Sequence, residues 1–276
     1  MAVVVAVVKL LFLGDIVGRS GRDAVARHLP SLRKSLGLDF VVANGENAAG
    51  GFGITDKIAS ELYAAGVDCI TTGNHVWDQR ELMLTIDRDP KLLRPLNFPK
   101  GTPGKGAGTY RLPGGQSIVV ANVMARLFMD ALDDPFAAVE TLLAQHRLGQ
   151  GGLAAILIDV HGEASSEKYA LGHLCDGRAS LVVGSHSHVP TADAQVLVGG
   201  TGYQTDAGMC GDYDSVIGMK KEAAIQRFVR KLPGERLTPA EGEGTLCAIY
   251  AELGAGGLAT RVAPVRVGGR LIPTMP

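Results

Sequence analysis

Short runs of Val, Ile and Leu alternate along this chain with segments whose apolar positions recur at helical spacing. That alternation predicts βα units, with strands covered by helices and read as apolar runs rather than as strict in-out patterns. The clearest strand runs are Leu10 to Leu13, Phe40 to Ala43, Val67 to Thr71, Ala154 to Ile158 and Leu181 to Val183. Helical spacing falls near 22–36, 56–65, 79–87, 135–147, 166–176 and 220–231. Thr55 and Asp134 stand where an N-cap is needed, and Pro135 suits the first turn after it. Between 100 and 124, Thr109-Tyr-Arg-Leu, then Pro-Gly-Gly, then Ser117-Ile-Val-Val form the pattern of a hairpin. Residues 245–253 and 258–272 alternate apolar with polar side chains, which predicts an antiparallel closing pair.

No internal repeat, heptad or linker divides the pattern, so residues 1–276 are expected to form one α/β domain. The opening Met-Ala-Val-Val-Val-Ala-Val-Val lacks a basic flank and is interrupted at Lys9. It is too short to cross a bilayer and is expected to be an extended lead into the first strand. Hydrophobic residues make up 46% and charged residues 20%, with a net charge of −1, which argues against disorder and against a polybasic surface for long nucleic acids. Cys69, Cys175, Cys210 and Cys247 are scattered without a CxxC pair. They are expected to be reduced, structural thiols in a cytoplasmic protein.

Each of the five strand runs leads into a polar cluster: Gly14-Asp15, Asn44-Gly-Glu46-Asn47, Gly73-Asn74-His75, Asp159-Val-His161-Gly162 and Gly184-Ser-His186-Ser-His188. Ligands of open α/β sheets bind beyond the carboxyl ends of strands, where these clusters converge if the strands are neighbours. Asp15, Glu46, Asn47, Asn74, His161, His186 and His188 supply oxygen and imidazole donors without a thiolate, a set suited to Mn, Fe, Zn or Co. Seven donors exceed one tetrahedral site and match two metals about 3.5 to 4 Å apart. On an extended strand end, His186 and His188 would share one face and address one site.

In order and type, these clusters are similar to those of the calcineurin-like metallophosphoesterases. Asn44-Gly-Glu-Asn-Ala48, Gly73-Asn-His-Val-Trp-Asp78, Asp159-Val-His-Gly-Glu163 and Asp206-Ala-Gly-Met-Cys-Gly-Asp-Tyr-Asp-Ser-Val-Ile-Gly-Met219 resemble, more narrowly, the YmdB-like phosphodiesterases over nearly the whole chain. The sequence departs from the broad superfamily where Ile16-Val17 replace an expected x-His after Asp15, and where Glu46 replaces the bridging Asp. The narrower branch shares both departures. The resemblance implies that one metal binds Asp15, Glu46, Asn47 and His188, and the other Glu46, Asn74, His161 and His186. The Arg of the superfamily's second motif is absent, so the phosphate must be held another way.

The resemblance further implies a four-layer α-β-β-α sandwich of two mixed sheets, with Fe or Mn as the two divalent or mixed-valence ions. It implies hydrolysis of cyclic nucleotides, chiefly 2′,3′-cyclic mononucleotides and also 3′,5′-cyclic AMP. The residues themselves support phosphoester hydrolysis. A phosphatase for another small phosphoester, or a metal-loaded nucleotide sensor without turnover, stay open as alternatives.

His75 adjoins the ligand Asn74 and cannot present the same geometry, so it is assigned to the transition state, protonating the leaving alkoxide or binding a phosphoryl oxygen. Asp78 is placed to orient His75, and Asp159, Asp206 or Asp212 to brace ligands. Trp77, the single tryptophan, is assigned to core packing rather than to base stacking. Leu127, Phe128 and Met129 in a predicted loop make a dimer or tetramer the expected assembly.

Overall fold

The computed structural model describes residues 7–231 and 234–276, so the expected lead at 1–6 lies outside the described residues. In chain order the elements are β1 (Val8–Leu13), β2 (Asp15–Ile16), α1 (Gly18–Leu36), β3 (Phe40–Asn44), α2 (Asp56–Ala65), β4 (Cys69–Thr71), α3 (Leu82–Thr85) and β5 (Leu92–Leu93). Then follow β6 (Ala107–Arg111), β7 (Ser117–Met124), α4 (Pro135–Gln145), β8 (Leu153–His161), α5 (Ser165–Leu174) and β9 (Leu181–Ser185). The chain closes with β10 (Gln195–Val196), β11 (Gly202–Gln204), β12 (Met209–Cys210), α6 (Lys221–Arg230), β13 (Leu246–Leu253) and β14 (Ala259–Val267).

Two six-stranded mixed sheets result, ordered β14-β13-β1-β3-β4-β5 and β10-β11-β9-β8-β7-β6. In the first, β1, β3, β4 and β5 are parallel and β13 runs against β1. In the second, β7, β8, β9 and β11 are parallel, and β6 closes the expected hairpin on β7. The period of two along each strand sorts side chains into layers. Leu10, Phe12, Phe40 and Val42 meet Ile118, Val120, Leu157 and Val183 between the sheets. Leu11, Leu13, Val41 and Ala43 point the other way, against Val25 and Leu29 of α1 and Leu62 of α2. On the far side, Val119, Ile156, Ile158 and Val182 pack with Val139 and Leu143 of α4 and Leu171 of α5. This is the expected four-layer α-β-β-α sandwich. Phe12 is fully buried between the sheets, where truncation to Ala costs about 3–5 kcal/mol.

The caps follow the sequence: Thr55 Oγ1 accepts from Ile58 N at 3.3 Å, and Asp134 Oδ1 from Phe136 N at 2.9 Å. The expected helix at 79–87 is only α3 followed by a 3-10 turn at Ile86–Arg88. α1 starts four residues before its predicted position, at Gly18. The four cysteines are buried and unpaired. Among the described residues no helix is long and apolar enough to cross a membrane. Trp77 packs on the first helix-facing core and meets Phe98 edge-on at 6.0 Å, as the packing assignment expects.

Candidate metal centre

The strand ends that carry the polar clusters belong to both sheets, β1, β3 and β4 in one and β8 and β9 in the other, and their following residues meet at one edge. His161, the last residue of β8, lies at the middle of one group. Its Nε2 is 2.9 Å from Asn74 Oδ1, 3.2 Å from Glu46 Oε1 and 3.1 Å from His186 Nδ1. Donors about 2.1 Å from a common cation stand about 3 Å from one another in an octahedral arrangement, so this spacing fits a metal. Glu46, His161 and His186 form a group able to hold a divalent ion.

The second group adjoins it through Glu46. Asn47 Nδ2 lies 3.1 Å from Glu46 Oε1 and 3.2 Å from His188 Nε2, which is itself 3.9 Å from Asp15 Oδ1. A half-turn of the Asn47 amide would present its Oδ1 at that corner. The structure thus brings together all seven predicted donors in two groups that share Glu46. Gly73 makes the close approach possible, since a Cβ there would overlap His161 Nε2 and Glu46 Oε2.

Each imidazole is oriented by its second nitrogen. Ser185 Oγ donates to Asp159 Oδ1 at 2.6 Å and so can accept from His161 Nδ1, 2.9 Å away. Thr71 Oγ1 and Asn44 Nδ2 also donate to Asp159, at 2.6 and 3.1 Å. His188 Nδ1 donates to Ile217 O at 2.8 Å, which leaves Nε2 for the centre. His186 Nε2 faces Glu163 Oε2 at 3.3 Å, which leaves Nδ1. Such partners fix tautomer and ring plane.

The expectation that His186 and His188 share a face of an extended strand end is corrected by the backbone. β9 ends at Ser185, and the two residues have φ of 98° and 64°. A non-glycine residue in this region is uncommon and costs of order 1–3 kcal/mol, a strain typical of functional sites. The turn is held from behind. Lys168 Nζ donates to Ser185 O at 2.7 Å and to Asp206 Oδ2 at 2.9 Å, and Asp206 Oδ2 accepts from Ser187 N at 3.0 Å. Asp15 accepts from His186 N at 3.0 Å. Asp212, the other candidate brace, instead accepts from Asp214 N and Gly242 N and supports a loop.

The electrostatics are those of a buried cluster. Burial opposes both charges of the Glu46 and His161 pair, but their mutual attraction prevails, holding Glu46 at about 2 and raising His161 to about 9. Burial, reinforced by the charge of His161, lowers His186 to about 3. Burial also raises Asp15 to about 6 and raises Asp159 from its ordinary value.

His75 is not among the clustered donors. Its N donates to Glu46 Oε2 at 3.1 Å, while its ring Nδ1 lies 2.8 Å from Asp78 Oδ2. His75 lines a cavity of about 540 Å³ over the centre, together with His186, His188, Glu163, Phe52 and Phe228. Sequence reasoning passed over Ser185, Glu163, Lys168 and Ile217. Ser185, Glu163 and Ile217 lie inside the motifs quoted from the sequence, whereas Lys168 gives no local cue.

Two face-to-face mixed sheets between helices, with carboxylates, amides and imidazoles gathered at one edge, define a metallophosphoesterase-type sandwich. The YmdB-like protein family matches residues 11–265, and the chain belongs to that family. It is similar to the 2′,3′-cyclic-nucleotide 2′-phosphodiesterase of Bacillus subtilis strain 168, with 47% identity over 89% of this chain and 91% of that one. A solved structure of a hypothetical protein from Thermus thermophilus superposes with a TM-score of 0.88 at 42% identity, covering 95% of this chain and all (100%) of the other. A structure described as a novel phosphatase of Mycoplasma pneumoniae also gives 0.88, at 28% identity, covering 96% of this chain and 94% of that one.

Proposed function

We propose that this chain is a dinuclear metal-dependent phosphodiesterase acting on cyclic nucleotides, with 2′,3′-cyclic mononucleotides as its main substrates. The observation that carries this is the convergence of seven donors into two groups sharing Glu46. One ion is assigned to Asp15, Glu46, Asn47 and His188, the other to Glu46, Asn74, His161 and His186, with Fe or Mn the fitting metals for this N/O set. Bound there, the two ions would supply Lewis-acid stabilisation of the phosphoryl group and a nucleophile at neutral pH. The substrate class follows the name of the Bacillus subtilis relative.

The protein's own residues position and move protons. Asp78 holds the Nδ1–H of His75, which leaves Nε2 as the nitrogen to protonate the departing ribose oxygen or to bind a phosphoryl oxygen. Asp159, through Ser185, keeps the proton of His161 on Nδ1, and Ile217 O does the same for His188. The buried free thiols support a reducing, cytoplasmic setting.

Product analysis on 2′,3′-cyclic AMP tests the reading. Opening of the 2′ ester, leaving adenosine 3′-phosphate, supports it. Turnover of phosphomonoesters without turnover of any diester would overturn it in favour of a phosphatase. Tight nucleotide binding without product would leave the sensor.

A further inference from the structure

The wall of the cavity opposite the metal centre is apolar and exposed, and no step above uses it. α6 buries only Ala224 among its side chains, yet carries Ile225, Phe228 and Val229 at 50, 76 and 74% exposure. Of these, Phe228 lines the cavity, as do Phe52 and Ile217. Phe52 packs edge-on against the His75 ring at 5.2 Å and carries the Arg236 guanidinium 5.8 Å above its own ring. Arg227, next to Phe228, donates to Glu235 O at 3.1 Å and so ties the last turn of α6 to the segment bearing Arg236.

Ile217 is the more unusual residue. Its φ of 45° is a genuine outlier for a β-branched side chain, and its side chain remains 53% exposed at the cavity. The same residue gives His188 its carbonyl acceptor. The two-residue turn closed by Val216 and Met219, with Gly218 also at positive φ, imposes that backbone and presents the apolar side chain beside the reaction centre.

We propose that Phe228 and Ile217, with Phe52 on the His75 side, form the slot that takes the nucleobase of the substrate. This rests on the phosphodiesterase reading above and names what the non-reacting part of the substrate touches. These side chains offer no hydrogen-bond donor or acceptor, so the base is recognised by its faces rather than its edge. Every base can enter, and purines, with the larger stacking area, gain most.

The test compares adenosine 2′,3′-cyclic phosphate, uridine 2′,3′-cyclic phosphate and glycerol 1,2-cyclic phosphate, which keeps the five-membered ester without a base. The wild type should prefer both nucleosides over the glycerol ester. Phe228→Ala should lower that preference about tenfold through KM, more for adenosine than for uridine, as loss of one base–aromatic stack predicts. Phe228→Trp should retain it. Ile217→Asn, which keeps the carbonyl and tolerates the backbone, should lower the preference with metal content preserved.

An unchanged preference in Phe228→Ala overturns the slot. If the sedimentation mass of that variant also falls, the face belongs to a contact between copies of the chain. A wild type that cleaves all three esters equally removes the slot alone, whereas one that cleaves none removes the phosphodiesterase reading with it.

Discussion

His75 is the residue on which the assigned chemistry depends without a metal-ligand role. His75→Ala should lower kcat by about 100-fold or more, the usual contribution of a positioned acid, while metal content stays at the wild-type level. Loss of metal together with activity would contradict that role. His161 governs a second, pH-dependent behaviour in the chelated protein. Its folded value of about 9 lies above the ordinary 6.5, and that of Glu46 of about 2 lies below the ordinary 4.5, so the pair stabilises fully between pH 4.5 and 6.5 and its contribution is lost as pH rises through 9. Melting temperature of the chelated protein should therefore fall between pH 6.5 and 9, and a flat profile across that window would refute the pair. The seven candidate residues are legible in the sequence because each follows an apolar run and each is of a type able to bind a metal. Ser185 is harder to see, since one hydroxyl within the Gly184-Ser-His-Ser-His188 cluster looks like a spacer, and only the fold brings it to Asp159 and His161.

At the scale of the element, the turn after β9 and the turn after β4 set the geometry. Ser185→Ala removes the link from Asp159 to His161 and should weaken metal binding by about 10 to 100-fold, measured by competition with a chelator. Unaltered affinity would leave that link without a function. Lys168 is 1% exposed and neutralises Asp206 beneath the strained His186–His188 turn. Lys168→Met strands a buried carboxylate and should cost about 3–5 kcal/mol in denaturant unfolding. A loss under about 1 kcal/mol, well below that range, would show that Asp206 is held well enough by Ser187 N and Gly208 N. Strands and most helices were readable from periodicity, including the N-caps at Thr55 and Asp134. The His-Ser-His geometry was not, because periodicity extends the strand where the chain turns into the left-handed region. That turn is fixed by Lys168, Asp206 and Asp15, contacts made across 17 to 171 residues of chain, which no local pattern encodes.

At the scale of the molecule, the sandwich brings five strand ends from two sheets to one edge, and that edge carries the account. The order of the motifs pointed to this architecture, whereas periodicity alone gave βα units and could not say that two sheets share them. Leu127 and Phe128 stand 51 and 88% exposed on the loop after β7, the surface where self-association was expected. Phe128→Asp should reduce the sedimentation mass if that face joins copies, and an unchanged mass would assign the assembly elsewhere. The measurement that bears most directly on the whole is metal analysis of purified wild-type and His161→Ala protein, paired with hydrolysis of bis-p-nitrophenyl phosphate and 2′,3′-cyclic nucleotides. About two transition-metal ions per wild-type chain are expected, the number a two-metal mechanism requires, with both metal and activity reduced in the variant. A wild-type protein that holds no transition metal and hydrolyses neither substrate under Mn or Fe supplementation would contradict the dinuclear phosphodiesterase reading.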